Sequence, residues 1–316
     1  MSFPVFDLHC DTLSHLLGRE MESFGSLREN DGHISLNRAK KLPGYAQCFA
    51  VFTTDLWKEK SPVTPVQAFE RQIAQFQREM HNNPEIAIAY SADDVQDHLE
   101  KGLMSGILTI EGPAGFDFDP ALLSDLALVG FRMTSLGWNE KNPLTGSNVT
   151  GGGLTDQGRE YVREAQSCGM IVDVSHISDE GFWGIMDCTE KPVIASHSNS
   201  RAVHNHSRNL TDEMFLALCQ TGGLAGINLY TQFLGERADV ETVCNHICHF
   251  LELDPSATHI ALGGDLDGCE RIPEGMQGID DYPLIAAALQ KRGLTDTMIR
   301  NIFWNNALGV MKECCM

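Results

Sequence analysis

The chain reads as an α/β protein closed into a (β/α)8 barrel, and three observations predict it. Eight short apolar runs recur along the 316 residues. Polar, helix-patterned stretches separate them, and histidines or carboxylates stand repeatedly where the runs stop. Strand and helix in alternation imply a parallel sheet, and eight such repeats favour a closed barrel over an open doubly wound sheet.

The runs are residues 5–8, 46–53, 106–110, 131–136, 170–174, 193–196, 224–229 and 260–263. They are rich in Val, Ile and Leu and bounded by Gly, Pro, Asp or Asn, as strands buried on both faces should be. Between them, Ser91-Ala-Asp-Asp94 reads as a helix N-cap with acidic residues in the first turn. Thr155 precedes an amphipathic run that stops at Gly169, a fitting C-terminal glycine. Thr211-Asp-Glu and residues 240–253 carry similar signals. A ninth apolar run, 86–89, exceeds the count and is expected as a peripheral strand. No repeat or linker divides the chain, so one domain over 1–316 is expected. Residues 18–41 have no clear element and are expected as a loop over a barrel mouth.

Composition narrows the function. Forty-three acidic against 23 basic residues give a net charge of −20, a field that repels nucleic acid and anionic membranes. A hydrophobic share of 42% is too high for a chain disordered by composition. No apolar run approaches the roughly eighteen residues of a membrane helix, and Met1-Ser-Phe-Pro-Val-Phe-Asp7 has no signal-peptide pattern. Ten cysteines, several of them (Cys48, Cys168, Cys219) inside apolar runs, fit free buried thiols and a reducing cytoplasm.

The residues that end the strands carry the chemistry. The first strand delivers His9-Cys10-Asp11, the third ends at Glu111, two later ones at His176 and His197, and the last at Asp265-Leu-Asp267. In a barrel these are the C-terminal ends, where active sites are built. Side chains at i and i+2 of an extended segment share a side, so His9 and Asp11 converge while Cys10 turns away. Imidazoles with carboxylates suit Zn²⁺, or Mn²⁺. Glu111 has two oxygens and can bridge two ions, which would acidify a shared water. Singly, each residue has a plainer account as a turn former or a satisfied core histidine; together, at matching strand ends, they point to a metal centre.

With these residues in place, the sequence resembles the membrane dipeptidase family, the M19 metallopeptidases of the amidohydrolase superfamily. The resemblance is carried by Phe6-Asp-Leu-His-Cys-Asp-Thr12, Ile110-Glu-Gly112, Gly130-Phe-Arg132, Asp173-Val-Ser-His176, Ser196-His-Ser198, Ser207-Arg-Asn209, Gly263-Gly-Asp-Leu-Asp-Gly268, Pro273-Glu-Gly275 and Trp304-Asn-Asn-Ala-Leu-Gly309. These span nearly the whole chain. The resemblance implies a (β/α)8 barrel with two zinc ions, one held by His9, Asp11 and Glu111, the other by Glu111, His176 and His197. It implies Asp265 as proton shuttle, Arg208 as the clamp on a dipeptide's free carboxylate, and a homodimer. It departs at one place: Trp138, in Leu136-Gly-Trp-Asn139, stands where the family carries a carbonyl-polarising histidine. Trp138 or Asn139 is expected to take that part. His204 and His206 receive no role. The expected reaction is hydrolysis of L-Xaa-L-Xaa or L-Xaa-D-Xaa dipeptides. The alternatives are another carboxylate-bearing amide, such as an N-acyl amino acid, and a non-catalytic metal-binding relative.

Overall fold

The computed structural model describes residues 3–18, 25–57 and 63–315. Nine strands form one parallel sheet: β1 (Val5–Cys10), β2 (Tyr45–Phe52), β3 (Ile86–Ile88), β4 (Met104–Glu111), β5 (Phe131–Ser135), β6 (Ile171–Asp173), β7 (Val193–Ala195), β8 (Leu224–Ile227) and β9 (Ile260–Leu262). Their order is β2-β1-β9-β8-β7-β6-β5-β4-β3, and an added pairing of β2 with β4 closes the circle. Eight strands therefore make the barrel.

The ninth is β3, the expected peripheral strand. One edge of β4 pairs with β2 from Ser105 to Glu111. The other edge is shared: β3 pairs below, at Met104–Gly106, and β5 above, from Leu108 to Ile110. The extra strand thus broadens the lower part of the wall and leaves the upper rim to eight strands.

Alternation along each strand divides the buried side chains between two apolar layers. Ile194, Ala261, Ile171 and Leu224 belong to one cluster, which takes at least one residue from every barrel strand. Their neighbours Val193, Ala195, Ile260 and Leu262 join the cluster that packs beneath the surrounding helices. Both faces are buried, so the strands read as unbroken apolar runs. The inner cluster also takes in Trp304, Ala307, Val310 and Met311. The last helix, Asn306–Cys314, packs on β1, β6 and β9 and closes the base of the barrel.

The expected helix starts are present. Ser91 and Thr155 cap the helices Ala92–Glu100 and Asp156–Ser167, and Thr211 caps Asp212–Gln220. Of the expected loop 18–41, residues 19–24 lie outside the described residues. Beyond them the chain runs to the short helix Leu36–Ala39 and reaches the barrel mouth at His33. All ten cysteines are free; Cys48 is buried, whereas Cys168 and Cys219 are only half-buried. Among the described residues no helix is long and apolar enough to cross a membrane.

Candidate active site

Every strand-end residue named from the sequence lies at the C-terminal rim. The two side chains of the His9-x-Asp11 pair meet as the alternation requires, with His9 Nε2 3.4 Å from Asp11 Oδ2. Glu111 reaches in from β4 and divides its oxygens: Oε2 is 3.4 Å from His9 Nε2, and Oε1 is 3.0 Å from His176 Nε2. His176 Nε2 and His197 Nε2 face each other at 3.0 Å. Asp265 Oδ1 lies 3.9 Å from His9 Nε2. All six side chains are buried.

The backbone at two of these positions is left-handed, with φ of 72° at His176 and 56° at Asp265. A side chain pays for that conformation (about 1–2 kcal/mol) in steric strain, and strain of this kind gathers at functional sites. Crowding is equally evident at Gly268, where a Cβ would stand 2.1 Å from Asp11 Oδ2. Only glycine lets the Gly-Asp-Leu-Asp-Gly turn close over that carboxylate.

Two of the three ligand-type histidines are steered from behind. His197 Nδ1 lies 2.7 Å from Ser196 Oγ, and Ser196 gives its own hydroxyl hydrogen to Asp173 Oδ2 at 2.5 Å. Ser196 must therefore accept from His197 Nδ1–H, which leaves the Nε2 lone pair pointing into the site. His176 Nδ1 lies 3.0 Å from Asn139 Oδ1, which fixes that ring in the same way. Two lone pairs facing each other at 3.0 Å repel unless a cation lies between them. His9 Nε2 is buried with no hydrogen-bond partner in spite of the three carboxylates around it. One imidazolium cannot neutralise three carboxylates. The donor set therefore fits divalent cations.

The electrostatics of the protein groups alone agree. Burial and the charge of Asp11 push the Glu111 carboxyl up to about 7, and burial pushes Asp265 up to about 6. Burial holds His176 and His197 well below the ordinary imidazole value. At His9 burial acts in the same direction, but Glu111 and Asp11 outweigh it and raise the ring well above 6.5.

Beside the cluster opens a cavity of about 260 Å³, walled by Phe52, Trp138, Tyr230 and Phe233 with Glu111 and Asp265 among the polar residues lining it. That is smaller than the roughly 300–1,000 Å³ of a drug-sized ligand site. Trp138 packs edge-on against Phe52 with ring centres 5.0 Å apart. Asn139 lines the cavity too, but its side-chain oxygen is engaged with His176. Its observed part is to orient a histidine. Arg208 is buried, 5.2 Å above the Phe233 ring, with a single long contact of 3.5 Å from Nη1 to Ser198 Oγ. Its Nε and Nη2 have no partner.

A model of the membrane dipeptidase family, peptidase family M19, matches residues 1–315. The chain belongs to that family. An uncharacterised dipeptidase of Schizosaccharomyces pombe is 34% identical over 216 residues, 66% of this chain and 53% of its own. A dipeptidase of Claviceps purpurea is 30% identical over 236 residues, 72% of this chain and 55% of its own. The chain thus spans about half the length of these curated relatives. A Rhodobacter sphaeroides metallopeptidase, solved with a phosphinate mimic of L-Ala-D-Ala, superposes with a TM-score of 0.88 at 24% identity, covering 99% of this chain and 100% of that one. The M19 dipeptidase AC gives 0.89, also at 24% identity, covering 100% and 99%. These two likenesses show the shared barrel.

Three contributors to this M19 site escaped the sequence reading. Asn228, one residue beyond β8, donates Nδ2 to Asp265 Oδ2 at 3.0 Å. It ends a strand just as the histidines do, and that position was the available signal. Ser196 and Asp173 form the relay behind His197 and lay inside quoted motifs without a role. Asp267 is no part of the cluster: it accepts from Thr12 Oγ1 at 2.7 Å and from the backbone N–H of His33 at 2.5 Å, and so anchors the 25–35 segment at the mouth. The 144–153 segment packs behind the site, with Asn148 N donating to His176 O at 2.8 Å and Ser147 Oγ to Asn139 O at 2.9 Å.

Proposed function

We propose that this M19 family member is a dipeptidase that hydrolyses the amide bond of L-Xaa-L-Xaa or L-Xaa-D-Xaa substrates with two divalent metal ions, zinc by the nature of the ligands. The observation that carries the proposal is Arg208. A buried guanidinium with two unpartnered nitrogens is costly unless an anion arrives to meet it. It lies beside a histidine–carboxylate cluster and a cavity for a small molecule. A free C-terminal carboxylate satisfies its fork bidentately, and a site anchored this way excludes longer peptides.

His9, Asp11 and Glu111 would hold one ion, and Glu111, His176 and His197 the other. When bound, the ions supply Lewis-acid polarisation of the scissile carbonyl and activation of a water. The chain's own groups do the rest. Arg208 fixes the substrate carboxylate, and with it the position of the scissile bond. Asp265, oriented by Asn228, takes the proton of the attacking water and returns it to the leaving amine. Trp138 walls the cavity with Phe52, and its indole N–H is the ring's one donor toward a substrate carbonyl.

Metal analysis with a hydrolysis panel tests the proposal. The panel holds L,L- and L,D-dipeptides, a C-terminally amidated dipeptide and an N-acyl amino acid. At least two zinc equivalents with chelator-sensitive cleavage of free dipeptides are expected. Preference for the N-acyl amino acid moves the substrate class, and cleavage of the amidated dipeptide at the same rate overturns the clamp. A homodimer in the cytoplasm completes the proposal. Leu128, 86% exposed, and the exposed Val129 end the helix Leu123–Val129, which the exposed Leu122 precedes, and a second copy would cover them. Ten free thiols suit a reducing compartment. Sedimentation of the wild type against Leu128→Glu tests the pairing.

A further inference from the structure

At the opposite end of the barrel, three groups with ligand chemistry converge from three elements. Cys219 is the next-to-last residue of the helix Asp212–Gln220, Asp254 directly follows the helix Val240–Leu253, and His259 directly precedes β9. One ligand atom from each lies within 4.8 Å of the other two, and all three residues are half-buried. None of them touches the rim site, which is built at the other ends of the strands.

The imidazole is already set for coordination. His259 Nδ1 lies 2.7 Å from the carbonyl oxygen of Gly223. A carbonyl only accepts, so Nδ1 carries the hydrogen and Nε2 keeps its lone pair. Ligating histidines are oriented by the same kind of backbone contact. A thiol, an imidazole and a carboxylate together match the soft-to-borderline preference of zinc, with water to complete four-coordination.

We infer that Cys219, Asp254 and His259 form a separate site for one zinc-class divalent cation at the base of the barrel. Binding exchanges the Cys219 thiol proton, which leaves to solvent, for a sulfur–metal bond. The ion would tie the end of one helix to the 254–259 connection, whose Ala257 has a left-handed φ of 56°. At this end of a (β/α)8 barrel the expected effect is on stability, because the chemistry belongs to the other face.

Cobalt separates this site from the rim cluster. A thiolate-to-cobalt charge-transfer band in the near ultraviolet requires sulfur ligation, and the rim donors are imidazoles and carboxylates. Metal-free protein titrated with Co²⁺ should develop that band, saturating by about three equivalents in all, two of them taken by the rim cluster. Cys219→Ser should abolish it, and His259→Gln should weaken cobalt binding at the band at least tenfold. Circular dichroism of both variants should match the wild type. Zinc should raise the melting temperature of the wild type more than that of Cys219→Ser. No band in the wild type, or a band that survives Cys219→Ser, overturns the inference.

Discussion

Asn228 donates its side-chain amide to Oδ2 of Asp265 at 3.0 Å, and the other oxygen of that carboxylate faces His9. The bond spans the ends of neighbouring strands, β8 and β9, so the barrel itself sets the direction of the proposed proton carrier. A hydrogen bond to a charged group contributes about 1.5–3 kcal/mol, or roughly 10–150-fold in rate where it acts in the transition state. Asn228→Ala should therefore lower kcat by at least tenfold, with little change in KM and none in bound metal. Steady-state kinetics beside metal analysis checks this; an unchanged kcat removes Asn228 from the mechanism.

Arg208 sets function against stability. Its guanidinium is buried with Nε and Nη2 unpartnered, and a long apolar side chain in its place leaves no charge to desolvate. Arg208→Met should lower kcat/KM for dipeptides by at least 100-fold while leaving the melting temperature equal or higher. A large drop in melting temperature would mean that the charge is satisfied within the fold.

Behind His197, Ser196 links the ring to Asp173. Removing an outer partner of this kind costs about 10–100-fold in metal affinity. Ser196→Ala should show that loss in a chelator competition, with activity restored at high zinc. Wild-type affinity would leave the relay without a role in metal binding.

His246 predicts an acid response away from the rim. It is fully buried, with Nδ1 accepting from Ser200 N at 3.1 Å and Nε2 3.0 Å from Leu234 O. That is a satisfied neutral ring, and burial lowers its pKa to about 4. The unfolded chain takes up this proton near 6.5, so between about 6.5 and 4 it binds more protons than the native state. The stability contributed by His246 is complete above 6.5 and is lost as pH falls through 4, about 3 kcal/mol in all. Chemical denaturation at several pH values should give a shallower acid loss in His246→Gln than in the wild type. Parallel curves would contradict it.

The barrel was legible because its strands are buried on both faces and read as unbroken apolar runs. The rim was legible because charged groups interrupt those runs where hydrophobic residues are the norm. Asn228 was not, since a neutral amide at a strand end is also an ordinary turn residue. The position of Asn139 suggested a contact with substrate; only the fold reveals that its oxygen sits on His176 Nδ1. Arg208 gains a role only through the family resemblance, because burial of a loop residue leaves no periodic trace. The Cys219–Asp254–His259 group has no spacing signature at all, since three unrelated elements bring it together. The place of β3 depends on β4 offering one edge to two strands, a property of closure that no local pattern encodes.

The left-handed backbone at His176 and Asp265 has a bearing on the chain's history. Glycine adopts that conformation without steric cost, so glycine at either position would relieve strain while abolishing a proposed metal ligand or the proposed proton carrier. A lineage released from its chemistry would find two single steps by which drift yields a sturdier, silent barrel. This chain has taken neither, as the proposed hydrolysis requires.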